Sequence, residues 1–262
     1  MRESSENIAL IQMALSLVIL GVLYKKMLGW EVPEPVGKKQ AIAPIVFGAL
    51  SVPLSFMFVL VNGGLVLVLG FDLATVAQPF QALLRAFLSA ALPEEITKFL
   101  FILLSIKLFR PKNAYEYILI GGAVGFGFTV LEDFLYGGDT VAFIRILTLA
   151  LHVVFDMIMA KYLAMARYKK IKGDGATARE YALALVIPIA LHTIYDACTV
   201  LNPVVKEIEE GADISLPALI VTIAVALCII VYQFIFLIQF KKKSKAYCDM
   251  ILIPDGVDSP AA

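Results

Sequence analysis

Seven apolar stretches of about 20 residues or more divide this chain, and a helix of that length crosses the roughly 30 Å hydrocarbon core of a bilayer. They lie at residues 8–28, 41–61, 82–109, 114–136, 141–165, 181–201 and 214–240. Hydrophobic residues make up 60% of the chain and charged residues 17%, against about 45–50% and 25% in soluble domains. These features predict an all-α, polytopic transmembrane helix bundle of about seven spans. Neither a linker nor an internal repeat is visible, so residues 1–262 are expected to form one membrane domain. Its polar motifs fall within residues 82–201, and a flexible tail is expected over about 246–262.

The basic residues orient the bundle. Lys25, Lys26, Lys38 and Lys39 follow the first span, and Lys107, Arg110 and Lys112 follow the third. Arg167, Lys169, Lys170, Lys172 and Arg179 follow the fifth, and Lys241, Lys242, Lys243 and Lys245 follow the seventh. The opposite connections and the N-terminal tail hold only Arg2 and Lys206. The positive-inside rule then places the N-terminus outside and the C-terminus in the cytoplasm. Lys25 and Lys26 come after the first apolar core, which predicts a retained anchor and not a cleaved signal. Gly63, Gly64 and Gly70 mark a place where a re-entrant piece could interrupt residues 41–109. Cys198, Cys228 and Cys248 are too far apart in sequence to suggest a disulfide framework or a thiolate metal site. No phosphate-binding loop or nucleic-acid signature occurs, so the expected partners are the bilayer and a protein within it.

Against this background the ionisable residues inside the spans stand out, since each costs roughly 2.5–3.5 kcal/mol near the bilayer centre. Glu94, Glu95 and Lys98 sit in the third span, Glu132 and Asp133 near the outer end of the fourth, Arg145, His152 and Asp156 in the fifth, and His192 and Asp196 in the sixth. At about 1.5 Å of rise per residue, Glu95, His152 and His192 fall roughly 13–20 Å from the outer surface. The spacings Glu94–Lys98, Phe128–Glu132, His152–Asp156 and His192–Asp196 are all i,i+4, so each pair shares one helix face, which must point into the bundle. The glycine-rich run from Gly121 to Gly127 allows close approach of a neighbouring helix, and Pro93 and Pro188 are expected to loosen theirs.

Two carboxylates held close in a low dielectric cannot both ionise freely, so one can serve as a general acid or base. Histidine beside them can shuttle a proton or donate to an oxyanion. That set suffices for water-mediated amide hydrolysis. The same residues also suit a proton-coupled transporter or channel, or a non-catalytic membrane scaffold with an inter-helix polar network. Within the hydrolytic reading no cofactor is required. A zinc-dependent variant would use Glu132, His152 and His192 as ligands with Glu94 or Glu95 as base, although no HExxH pair is present.

Taken together, Glu94-Glu95-x-x-Lys98, then Gly125-Phe126-x-Phe128-x-x-x-Glu132-Asp133, then Arg145 followed by His152, then His192-x-x-x-Asp196 resemble the PrsW family of glutamic-type intramembrane proteases over about residues 82–200. These are relatives of the CAAX prenyl endopeptidases. The resemblance implies a multi-pass protein of the prokaryotic cell membrane that cleaves membrane-anchored proteins, such as anti-sigma factors, near their extracytoplasmic side. It implies Glu94, Glu95, Glu132, His152 and His192 as catalytic residues, with Lys98, Asp133, Arg145, Asp156 and Asp196 in support. Asp133 stands where such chains commonly carry asparagine. Asp156 and Asp196 are expected to orient the histidine one turn earlier on their own helices.

Overall fold

The computed structural model describes residues 2–30, 36–70, 72–77, 80–136, 148–199 and 216–252. Among them the regular structure is helical: α1 (Arg2–Leu28), α2 (Lys38–Val68), α3 (Phe80–Ala86), α4 (Leu92–Phe109), α5 (Ala114–Tyr136), α6 (Leu151–Ile171), α7 (Ala178–Cys198) and α8 (Leu216–Cys248). A π-helical turn, Phe87–Ala91, joins α3 to α4 without a break. The chain is therefore an all-α membrane bundle.

Among the described residues, five stretches are long and apolar enough to cross a membrane: Leu10–Leu28, Lys38–Val68, Ala114–Leu135, Ala178–Cys198 and Leu219–Cys248. The third and fifth of the seven predicted spans fall short of that standard because of their own charges. Glu94, Glu95, Lys98 and Lys107 interrupt α4, and Asp156, Lys161, Arg167 and Lys169 interrupt α6. Residues 141–147, the start of the predicted fifth span, lie outside the described residues, and Arg145 with them. No re-entrant piece breaks α2, which runs past Gly63 and Gly64 and stops at Gly70 (φ +64°).

Helix α5 is the axis of the bundle. Its apolar window is 72% buried, against 12% for α8, and α6, α2, α1 and α4 surround it. Glycine makes this possible. A Cβ at Gly121 would lie 2.2 Å from the Asp156 carbonyl oxygen, and one at Gly125 would lie 2.5 Å from that of His152. On the α2 side, a Cβ at Gly127 would lie 1.7 Å from Ile45 O, and one at Gly48 1.9 Å from Val124 O. Backbones this close exclude any larger residue. The seam also places α5 directly against the turns of α6 that carry His152 and Asp156.

The connection from α4 to α5 is capped tightly. Arg110 takes a left-handed conformation (φ 47°), the Asn113 side chain accepts from Glu116 N at 2.9 Å, and Glu116 Oε2 accepts from Lys112 N at 2.9 Å and from Gln40 Nε2 at 2.7 Å. Onto this corner folds a segment expected to be loose. Leu252 N donates to Lys112 O at 2.8 Å and Ala114 N to Met250 O at 3.0 Å, forming a single antiparallel bridge between Asn113 and Ile251. Leu252 and Cys248 are buried. Of the predicted tail, residues 246–252 pack onto this corner, where their apolar side chains fill a groove and their backbone has a partner. Residues 253–262 lie outside the described residues.

Candidate active site

Four helices deliver the polar residues to one place. On α4, successive residues turn by about 100°, so Glu94 and Glu95 cannot share a direction. Glu95 points into the bundle and is fully buried with Lys98 and Asp156. Its Oε1 accepts from Lys98 Nζ at 2.5 Å and meets His192 Nδ1 at 2.8 Å. Lys98 also reaches His152 Nδ1 at 3.0 Å, lies 4.0 Å from Asp156 Oδ1, and sits 4.3 Å above the Phe128 ring. The ammonium thus ties together α4, α5 and α6.

Each imidazole is held from both sides. Because Lys98 can only donate, His152 Nδ1 must accept, which leaves the proton on Nε2 to be donated to Glu132 Oε2 at 3.0 Å. His192 lies between two carboxylates, Glu95 at Nδ1 and Asp196 Oδ2 at 3.2 Å from Nε2. Glu94 Oε2 is 3.8 Å from the same Nε2. The two rings meet edge to face with centroids 5.0 Å apart, and Phe128 and Phe155 pack beside them.

The sequence-derived set is therefore brought together: Glu94, Glu95, Lys98, Glu132, His152, Asp156, His192 and Asp196 form one cluster. Asp196 lies 3.2 Å from the Nε2 of the histidine one turn before it. Asp156 instead faces Lys98, since a full positive charge is a stronger attractor than a ring already held at both nitrogens. Asp133 points away from the cluster toward α1. There Ser16 Oγ bonds Oδ2 and Gln12 Nε2 donates to Oδ1 at 3.4 Å.

Three positions not singled out in the sequence support the site. Gln12 and Ser16, an i,i+4 pair of polar residues inside an apolar span, anchor Asp133. Asn62 has a different task. Within the π turn Leu92 N bonds Phe87 O, and Pro93 has no N–H to offer, so the Leu88 carbonyl loses its helical partner. Asn62 Nδ2, reaching from α2, donates to that carbonyl at 3.0 Å. An isolated asparagine in an apolar helix was the available signal. π turns of this kind are frequent at functional sites, and here one leads directly into Glu94 and Glu95.

A cavity of about 30 Å³ opens beside the cluster, lined by Thr129, Glu132, Asp133, His152, Tyr195 and Asp196 among others. Thr148 Oγ1 and Tyr195 OH, 2.9 Å apart, close one wall. Glu132, His152 and Asp196 side chains each keep about a tenth of their surface exposed, whereas Glu95 keeps none.

Glu94, His152 and His192 each offer one donor atom, and these atoms lie within 4.8 Å of one another. Two imidazoles and a carboxylate are a donor set that zinc accepts, and Glu94 Oε2 is buried without a hydrogen-bond partner. The residues therefore fit a metal ion, with Glu94 completing the group. Glu132 is instead engaged with His152.

Comparison with known proteins shows the family to which the chain belongs. A protein named protease PrsW from Bacillus subtilis (strain 168) is 34% identical over 116 residues, covering 42% of this chain and 52% of its own length. One of the same name from Halalkalibacterium halodurans is 29% identical over 124 residues, covering 45% and 56%. The chain thus spans about half the length of the curated relatives it matches. No solved structure matches it. The family described as PrsW family intramembrane metalloprotease matches residues 37–236. Those residues include α2 through most of α8 and every member of the cluster, and so the chain belongs to the PrsW family.

Proposed function

We propose that this protein is an intramembrane endopeptidase that hydrolyses peptide bonds of membrane-anchored proteins, such as anti-sigma factors, near the extracytoplasmic side. The observation that carries the proposal is the convergence of Glu132, His152 and Asp196 on the wall of a cavity, backed by the sealed Glu95–Lys98–His192 group. Water in that cavity lies within reach of Glu132. The carboxylate takes a proton from it while the water oxygen bonds to the scissile carbonyl carbon. The Nε2–H of His152, which lines the cavity and is released as Glu132 is protonated, donates to the resulting oxyanion, and the proton on Glu132 passes to the leaving amine as the C–N bond breaks. Glu95 and Lys98 do not reach the cavity; they hold the two rings in register. If zinc is bound, Glu94, His152 and His192 are the residues to hold it, and it would supply Lewis-acid activation of the water.

The test compares new protein N-termini in membranes carrying wild type or Glu132→Gln at equal expression. A small set of extracytoplasmic cleavage products in single-span proteins is expected to vanish with the glutamine, consistent with a general base worth about 10²–10⁴ in rate. Identical profiles under conditions that require the protein would rule proteolysis out as its main activity. Elemental analysis of the purified protein separates the two chemistries. One zinc per chain, lost in Glu94→Gln and His192→Asn, assigns the metal-dependent form, and cleavage by zinc-free protein assigns the glutamic one.

A further inference from the structure

A second and larger cavity, of about 150 Å³, lies between α5, α6, α7 and α8 and has no part in the site above. Its polar lining is Lys161, Tyr162, Tyr232, Gln239, Lys243 and Tyr247. Two ammonium groups thus face one space, no carboxylate lines it, and among the described residues neither lysine has an acidic partner. Lys161 Nζ lies over the Tyr162 ring, 5.5 Å from its centroid, a contact that supplies no counter-charge. Two like charges converging in a half-buried space without a counter-charge call for an anion. The rest of the lining is apolar, with Ile158, Ile187 and Phe236 forming a wall that a simple inorganic anion would leave unused.

The position selects the kind of anion. Lys161 lies halfway along α6 and Lys243 near the end of α8, beside Lys241, Lys242 and Lys245. The cavity therefore opens toward the lysine-rich end of the bundle, which the positive-inside rule puts at the cytoplasmic leaflet, where anionic lipids supply the negative surface. Tyr232 and Ile235 line the cavity while remaining 38% and 47% exposed on the outer surface of α8. The space is thus open sideways to the bilayer.

We propose that this cavity is a binding site for an anionic phospholipid. The headgroup phosphate sits between Lys161 and Lys243 with donors from Gln239 and the tyrosine hydroxyls, and an acyl chain lies along Ile158, Ile187 and Phe236. The lipid fills the gap left where α8 packs thinly and holds that helix against α6 and α7.

The test uses the full chain in detergent, with bound lipid read by native mass spectrometry during titration with phosphatidylglycerol or phosphatidylcholine. Phosphatidylglycerol is expected to bind wild type in preference to phosphatidylcholine. Lys161→Gln/Lys243→Gln is expected to weaken its binding about thirtyfold, as two basic contacts would, whereas Lys241→Gln/Lys242→Gln, which removes the same charge outside the cavity, leaves it unchanged. Equal binding of the two lipids by wild type overturns the proposal whether or not the variant folds. So does equal weakening by the two double variants, which means diffuse charge attraction. Inorganic phosphate that displaces the lipid at equal concentration also overturns it, since the apolar wall then contributes nothing.

Discussion

Lys98→Met is the substitution that most directly tests how the buried cluster is held together. Methionine keeps nearly the length of the lysine and removes only the charge. It strands Glu95, which loses a 2.5 Å partner, takes from Asp156 the cation 4.0 Å away, and leaves His152 Nδ1 without its donor. All three charged side chains are fully buried. Removing one partner of a buried ion pair costs about 3–5 kcal/mol, because the other charge stays behind uncompensated. That is a large part of the total stability of roughly 5–15 kcal/mol of a folded domain. Neutralising both partners should be milder, since of the two carboxylates stranded by Lys98→Met only Asp156 then remains. The expected result is that Glu95→Gln/Lys98→Met is at least about 2 kcal/mol more stable than Lys98→Met alone. The assay is reversible unfolding in detergent micelles followed by tyrosine fluorescence, for wild type, both single variants and the double. If Lys98→Met costs less than about 1 kcal/mol, or the two changes simply add, the ammonium is not what balances this cluster.

Three further outcomes follow from the packing. Asn62→Ala leaves the Leu88 carbonyl unpaired and is expected to lower stability by about 1–3 kcal/mol, and Asn62→Asp, ionised and unable to donate, should not rescue it. Thermal melts equal to wild type for both would remove Asn62 from the account of the π turn. Gly125→Ala drives a methyl into the backbone of His152 and should cost about 1–3 kcal/mol while abolishing proteolysis; full activity in a cleavage assay would mean the seam does not set the position of the ring. Leu252→Ala empties the groove at the α4–α5 corner and is expected to cost about 2–5 kcal/mol by chemical denaturation, and no measurable loss would show the docked segment to be incidental.

Much of the site was legible in sequence because a bilayer removes alternatives. An ionisable residue in a greasy helix must face inward, so residue spacing and depth together brought Glu95, His152 and His192 to one layer. What spacing could not supply was rotational phase between helices. Glu94 and Glu95 are neighbours in sequence, yet Glu95 is sealed behind Lys98 and His192 while Glu94 stands next to His192 Nε2. Glu132 belongs to the cavity wall, and this depends on how α5 is pressed against α6 by Gly121 and Gly125. Asp156 lies one turn after His152 and still turns to Lys98, a choice made by a third helix. The π turn depends on both Pro93 and an asparagine from α2, two features that are 31 residues apart in the chain. The docking of residues 250–252 needed a groove that exists only once α4 and α5 have met.

The 2.5 Å pair within α4 bears on how such a chain enters a membrane at all. At about 5–20 residues per second, His192 leaves the ribosome roughly 5–20 s after Lys98, so α4 must be handed to the lipid before its histidine partners exist. Glu95 and Lys98, one turn apart on the same helix, can neutralise each other during that interval, and Asn62, already made, is ready to cap the interrupted turn. Helix α4 thus brings its own counter-ion and needs help only from a segment synthesised before it. A variant with the same two charges exchanged between α4 and α6 could reach the same final contacts and yet fail at the translocon.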